Sequence, residues 1–388
     1  MGTSPAASQR RLKILQVASH SDATRGGAVQ MILLARGLRD RGHEVHCVFH
    51  RPKEVVEVQP ASRRAAPAPL QARLFDLERW TDMWRFRTWV RRERFDIIHC
   101  HRDPALRFCF LATLGIAIPA FVTQRGTVYR LPRWGIVRWA FRSRKLDHVI
   151  AVAEAVRRSL VEESGLAPEK VSVVYGSYDP ERFHRGLSGK AVRREFALSD
   201  EAPVVGIVGA LVGKKGHADF FEAAAQVVRT LPSARFLVVG KGKMERFGEI
   251  LERLGLSPHV IFAGHRDDMP EVLAALDVLV CASRKGEGLT GVLREAMAVG
   301  TPVVTTDVAG NTEPVVHEKT GLVVPVGACA AMAEAILRLL KDREEANRLI
   351  VAAEERVRQL CLHSRRCEQI ERIYCDIIER KQKRTVES

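Results

Sequence analysis

"KGEGLTGVLREAMAVGTPVV" (residues 285–304) joins a glycine-studded turn, a helical run that begins near Thr290, and a strand-like run from Pro302 to Thr305. Glycine lets a backbone come close to a ligand or another segment because it has no Cβ. The first turn of a helix carries unpaired N–H groups at the positive end of its dipole, an anion site suited to a diphosphate. Glu287 and Glu295 flank the turn eight positions apart. Glu295 falls one turn into the helix, where a carboxylate can accept both hydroxyls of a ribose diol. A helix that runs directly into a buried strand is half of a parallel α/β unit.

The same plan repeats outward. "PVVGIVGALVGKKGHADFFEAAAQVV" (203–228), "ARFLVVGKGKMERFGEILERLG" (234–255) and "HVIFAGHRDDMPEVLAALDVLVCAS" (259–283) each read as strand followed by helix. "TGLVVPVG" (320–327) leads into helical residues 328 to about 380, broken near Asp342 and His363. In the first half, "LKILQVA" (12–18), the loop "SHSDATRGG" (19–27), a helix from Ala28 to Arg41 and the strand "HEVHCVF" (43–49) form another unit. Residues 51–72 read as a Pro/Ala/Arg-rich surface loop, and Leu74 to Arg94 as a helix. "FDIIHCH" (95–101), "AFVTQRG" (120–126), "DHVIAVA" (147–153) and "KVSVV" (170–174) are further strands. The alternation predicts two doubly wound, Rossmann-like α/β domains facing each other across a cleft. The expected division is a disordered arm at 1–11, a first domain at 12–187, a second at 188–365, and a terminal helix at 366–388 that can cross back to the first domain.

The 388 residues are 46% apolar, which suffices for two cores and argues against global disorder. The first twenty residues show no apolar signal region, and no run is long enough to span a bilayer. The eight cysteines show no metal-ligand spacing and are expected to be reduced thiols. Net charge is +15 and unevenly spread. Residues 1–187 hold 32 Lys+Arg against 18 Asp+Glu, or +14, and residues 188–388 hold 29 against 28, or +1. A basic first half suits nucleic acid, anionic lipid or a phosphorylated substrate, or serves solubility alone.

In "GALVGKKGH" (209–217), Gly209, Lys214 and Lys215 follow a strand and open a helix, where lysine neutralises phosphate charge. The spacing is not that of a P-loop. With "EGLTGVLREA" it resembles the E-x7-E motif and phosphate loop of retaining glycosyltransferases of family 4, which have the GT-B fold. The resemblance runs through residues 12–340, including "GGAVQMILLARGLRDRGHEVHCV" and "VAGNTEPVVHEKTGLVVP".

It implies that Glu295 binds the nucleotide ribose and Glu287 faces the donor sugar. Backbone N–H groups of Gly288, Leu289 and Thr290 would hold the diphosphate, and Lys215 would stabilise it as it leaves. Arg266 would border the base, and Gly26 and Gly27 would approach the phosphates across the cleft. Arg125 stands where the family commonly has a histidine lining the reacting centre, and arginine cannot serve there as a base at neutral pH. Ala210 replaces a frequent arginine, which Lys214 can offset. "GKGK" (240–243) and "GSYD" (176–179) depart from the family's turns.

His99 and His101 share one face of a strand. A metal site there lacks carboxylates, so the expectation is that they line the acceptor side, against a buried, hydrogen-bonded pair. The donor expected is a UDP or GDP sugar, with no metal and no other cofactor. The expected acceptor is a glycan or lipid-linked glycan in lipopolysaccharide or other cell-envelope synthesis. The expected location is the cytoplasmic face of the inner membrane, with no nucleic acid bound. "RWTDMWRFRTWVRRERF" (79–95) and "RLPRWGIVRWAFRSRK" (130–145) interleave aromatic and basic residues as an interfacial segment does. The alternatives are a GT-B epimerase or hydrolase acting on a nucleotide sugar, or a basic nucleic-acid-binding protein without catalysis.

Overall fold

A computed structural model of the chain describes residues 10–20, 26–51 and 71–386. The expected arm and most of the 51–72 loop lie outside these residues. The first half folds as β1 (Lys13–Ala18), α1 (Gly26–Asp40), β2 (Glu44–His50), β3 (Gln71–Phe75), α2 (Trp80–Glu93) and β4 (Ile97–His101). It continues through α3 (Asp103–Ala112), β5 (Ala120–Arg125), α4 (Ile136–Arg142), β6 (His148–Ala151), α5 (Glu154–Arg158) and β7 (Val171–Val173). The second half opens with α6 (Lys190–Glu195), β8 (Val204–Val208), α7 (His217–Thr230), β9 (Arg235–Val239), α8 (Gly248–Arg253), β10 (Val260–Gly264) and α9 (Met269–Ala274). It closes with β11 (Val278–Cys281), α10 (Gly291–Val299), β12 (Val303–Thr306), β13 (Leu322–Val324), α11 (Cys329–Lys341), α12 (Arg343–Cys361) and α13 (His363–Val386).

The strands form two wholly parallel sheets, ordered β3-β2-β1-β4-β5-β6-β7 and β10-β9-β8-β11-β12-β13. Parallel sheets are covered on both faces, which explains why their strands read as continuous apolar runs. Helices α2 to α5 cover one face of the first sheet, and α1 and α13 the other. In each sheet the winding reverses once, between β1 and β4 and between β8 and β11. Crevices open beyond the carboxyl ends of strands at such reversals. β3 was not expected from the sequence. It is an edge strand with only Phe75 buried, so it carries no alternating signal.

The chain crosses from the second sheet's helices to the first at Leu362. There α12 ends in extended backbone, and Leu362 bridges Tyr178. A buried polar joint secures this crossing. Arg366 of α13 donates to the Gln30 carbonyl at 2.9 Å and to Gln124 Oε1 at 3.2 Å. Gln30 Nε2 and Arg294 Nε both donate to the Ser177 carbonyl, at 2.7 and 2.9 Å. One network thus ties α1, β5, α10 and α13.

The fully buried Tyr374 of α13 corrects the reading of the two histidines. Gln16 donates to the Tyr374 hydroxyl at 3.2 Å, and that hydroxyl lies 2.7 Å from His99 Nδ1. His101 Nε2 lies 2.6 Å from Gln16 Oε1, and the two imidazoles stack at 4.4 Å. Both rings are buried under α13 and neither lines an open acceptor cleft. Burial, aided by Arg366, lowers His99 to about 3 and moves His101 well down. It also lowers His148 and His217 to about 4.

Tyr374→Phe removes the shared hydroxyl and strands two buried polar groups, which should cost about 1–3 kcal/mol and be seen as a lower Tm. The buried histidines stay neutral in the folded chain, whereas unfolded histidine takes up a proton near pH 6.5. Stability is therefore present above that value and lost below it. Tm should fall as the pH drops from about 6.5 toward 4, the folded-state value of His148 and His217; a flat profile would contradict the burial.

Candidate functional site

The lysine loop and the glutamate turn meet beyond β8 and β11. Gly216 stands at φ +71°, and a Cβ on it would lie 1.8 Å from the Ala282 carbonyl oxygen, so only glycine lets the loop lie this close to the β11 exit. The Arg284 N–H donates to the Lys214 carbonyl at 2.8 Å and closes the same seam. As a result Lys215 Nζ reaches Glu287 Oε1 at 2.9 Å, both side chains being mostly buried. Gly209 lies under the lysine, a Cβ there standing 3.4 Å from its methylenes. The Lys214 side chain is exposed beside them.

Thr290 caps α10 in extended backbone without a side-chain hydrogen bond, so the helix N-terminus is open to an anion. Glu295, one turn in, makes no hydrogen bond or ion pair among the described residues. Burial raises its pKa, against the pull of Arg294 and Arg182. A cation, an uncapped helix N-terminus and an unpartnered carboxylate thus converge within one helical turn. Among the described residues no three His, Cys, Asp or Glu side chains are grouped to hold a metal ion.

Other expected residues have different roles. Gly288 is pinned between halves: a Cβ on it would stand 2.4 Å from the Gly126 carbonyl oxygen, and one on Gly310 would stand 1.6 Å from the Gly288 carbonyl oxygen. Leu289 packs into both the first-sheet core and the α10 core. The Thr290 N–H already donates to Asn311 Oδ1, at a long 3.3 Å. Of the three N–H groups expected to hold phosphate, that of Thr290 is thus already bonded, while Gly288 and Leu289 also form the joint between the domains. Arg266, expected to border the base, is held in place by Glu195 and Asp268, each of which accepts two hydrogen bonds of 2.5–2.8 Å from its guanidinium. Gly26 starts α1, and Gly27 lets that helix abut the His20 ring, which a Cβ would approach to 2.6 Å.

Arg125 is 2% exposed at the end of β5, next to Gly126. Its guanidinium stacks over Tyr129 at 3.5 Å and donates once, to the Tyr129 carbonyl at 2.8 Å, leaving Nε and Nη1 without partners. Burial lowers its pKa to about 10, with Asp103 opposing, so it remains a cation at neutral pH.

The sequence reading missed Glu313. Its carboxylate crosses to the first domain and accepts from the N–H groups of Glu154 and Ala155, both at 2.8 Å, at the start of α5. The loop that carries Glu313 also holds Asn311 and Gly310, so one segment touches both the start of α10 and the opposite domain. The signal lay in "AGNTEPVV" (309–316), polar residues just beyond the carboxyl end of β12.

Family models agree with this geometry. Residues 24–182 match the model "Glycosyltransferase Family 4" and residues 202–342 match "Glycosyl transferases group 1". The 2-deoxystreptamine N-acetyl-D-glucosaminyltransferase of Streptomyces fradiae is 31% identical over 376 residues, covering 86% of each chain. The chain belongs to glycosyltransferase family 4. The N-acetyl-alpha-D-glucosaminyl L-malate synthase of Bacillus anthracis is 28% identical over 376 residues, 91% of this chain and 94% of that one. The crystal structure of Anabaena Alr3699/HepE with UDP-glucose superposes with a TM-score of 0.80 at 20% identity, over 94% of this chain and all of that one. The two parallel-sheet domains are those of a GT-B glycosyltransferase, as the sequence implied.

Hydrogen bonds to a charged group contribute about 1.5–3 kcal/mol each. Glu313→Ala removes two across the domain joint. It should open the molecule, read as a larger radius of gyration in small-angle scattering; an unchanged radius would mean that the joint does not depend on them.

Proposed function

We propose that this glycosyltransferase moves a sugar from a UDP or GDP donor to a hydroxyl of a glycan or glycolipid, with retention at the anomeric carbon. The observation that carries the reading is the Lys215–Glu287 pair beside the uncapped N-terminus of α10, with Glu295 unpartnered one turn in. The diphosphate would sit at the helix N-terminus and draw Lys215 from Glu287, which frees that carboxylate to hold the donor sugar. Glu295 would accept the ribose hydroxyls. Lys215, Lys214 and the helix dipole neutralise phosphate charge where a metal would otherwise serve, so no metal is required.

In the transfer, the bond from the anomeric carbon to the diphosphate oxygen breaks as the leaving group gathers negative charge against Lys215. The acceptor hydroxyl adds to the same face. Its proton passes to an oxygen of the departing diphosphate, so no side-chain base is needed. Arg125, a cation beside this joint, would hold charge or position the acceptor. The charge of the first half supports an anionic acceptor, such as a phosphorylated lipopolysaccharide core or a polyprenyl-diphosphate glycan. Trp80, Trp84, Trp134 and Trp139 are more than half exposed among arginines, which supports peripheral docking on the inner membrane's cytoplasmic face. No helix among the described residues is long and apolar enough to cross a membrane.

Lys215→Ala should lower kcat at least tenfold with a smaller change in donor KM, measured with the donor found by thermal shift against UDP, GDP and ADP. Glu295→Gln should also cost at least tenfold in transfer, yet raise Tm. An ionised carboxylate whose pKa burial raises costs stability at neutral pH, and the amide removes that cost. Near wild-type kinetics for both variants would refute the site. Donor consumption without an acceptor product would favour an epimerase or hydrolase.

A further inference from the structure

On the first domain, the edge strand β3 and helix α2 border an open groove of about 730 Å³. Its wall carries four arginines, Arg51, Arg73, Arg85 and Arg92, with the indoles of Trp84 and Trp89, and no carboxylate. Arg51 and Arg73 have no acidic partner among the described residues. Arg85 and Arg92 pair only with their helix neighbours Asp82 and Glu93, at 3.4 and 2.9 Å, and both are 70% exposed. Such surface pairs hold little energy and yield readily to a better anion. Arg73 lies over the Trp89 ring at 4.8 Å. Trp89 is 5% exposed, and its buried indole N–H has no hydrogen-bond partner. The four guanidinium groups along this wall share no acceptor there, and a phosphate supplies several.

We propose that this groove binds the phosphate headgroup of an anionic phospholipid. The guanidinium groups match a phosphodiester, and the apolar walls, Leu74 and Phe75 with the two indoles, match the glycerol and upper acyl segments. Trp80 and Trp84, 65% and 54% exposed, stand edge to face at 6.0 Å by the N-terminal end of α2, as residues at a bilayer interface do. A single concave pocket fits one headgroup, whereas a nucleic-acid strand needs a track of cations.

The position gives the contact a use. In a parallel sheet every strand ends on one rim, so the N-terminus of α2 shares a rim with the end of β5, where Arg125 and Gly126 stand. β3 and β5 are four strand spacings apart, roughly 19 Å at about 4.8 Å each. A headgroup in the groove therefore holds the cleft's rim against the surface that presents a lipid-linked acceptor. The inference rests on the membrane-docking reading above and names the docking site.

The test is co-sedimentation with phosphatidylcholine vesicles containing about one-third phosphatidylglycerol, compared with phosphatidylcholine alone. Arg51→Gln with Arg73→Gln, and separately Trp89→Phe, are set against a control of equal charge change at exposed positions of the second domain, Lys190→Gln with Arg229→Gln. The double groove variant should weaken binding to anionic vesicles at least tenfold, with Tm and donor affinity unchanged. Trp89→Phe should weaken binding severalfold, and the control pair less than the groove pair. Equal losses in groove and control pairs would leave membrane docking standing and remove the groove as its site. No binding by the wild type would remove both. Groove variants that bind like the wild type would overturn the assignment; filling of the groove by residues 52–70 of this chain would give that result. Displacement of the vesicles by millimolar inorganic phosphate, or tighter groove-dependent binding of a single-stranded oligonucleotide, would overturn it in favour of those ligands.

Discussion

Two backbones meet at Gly126 and Gly288 with no room for a Cβ on the second, and the arrangement of the cleft depends on that apposition. Leu289 shares the cores on both sides, and Glu313 adds two charged hydrogen bonds to the start of α5. The turn that begins α10 is thus also a contact with the opposite domain. A ligand at α10 would be coupled to the separation of the domains because Gly288 and Leu289 border both. Asn311 strengthens the coupling: its long bond to the Thr290 N–H is one that a phosphate oxygen can displace, and it sits two residues from Glu313.

The site is defined by what the protein leaves unsatisfied. Several buried polar groups elsewhere do find partners: Arg366 with Gln30 and Gln124, Tyr374 with Gln16 and His99, Arg193 with Asp277. At α10 the helix end has no side-chain cap and Glu295 has no partner, although burial disfavours its charge. Groups held in this way cost stability in the empty protein and are offset when a ligand supplies the missing partners. Arg125, with two guanidinium nitrogens unmet beside the joint, fits the same pattern.

The sequence showed the fold because parallel strands buried on both faces must be apolar throughout, and most of them were followed by a helix. It showed Lys215, Glu287 and Glu295 because glycine spacing at a strand exit is a local signal. What it did not show depends on distant partners. His99 and His101 were expected on the acceptor side rather than as a buried pair, since the tyrosine that covers them lies some 275 residues further along. Arg266 looked available until Glu195, 71 residues away, was brought to it. Glu313 carried no periodic or glycine signal, and its role exists only once the two sheets face each other. Strand β3 escaped notice because an edge strand with four exposed residues has no pattern to read.

The central claim is that α10 and Lys215 hold the diphosphate while Glu295 holds the ribose. A crystal structure of the chain with UDP tests it most directly. The expected result is a phosphate oxygen within hydrogen-bond distance of the first N–H groups of α10, Lys215 Nζ turned toward that phosphate, and both ribose hydroxyls on Glu295. UDP bound elsewhere, or bound here with the ribose away from Glu295 and the Lys215–Glu287 pair undisturbed, would contradict it.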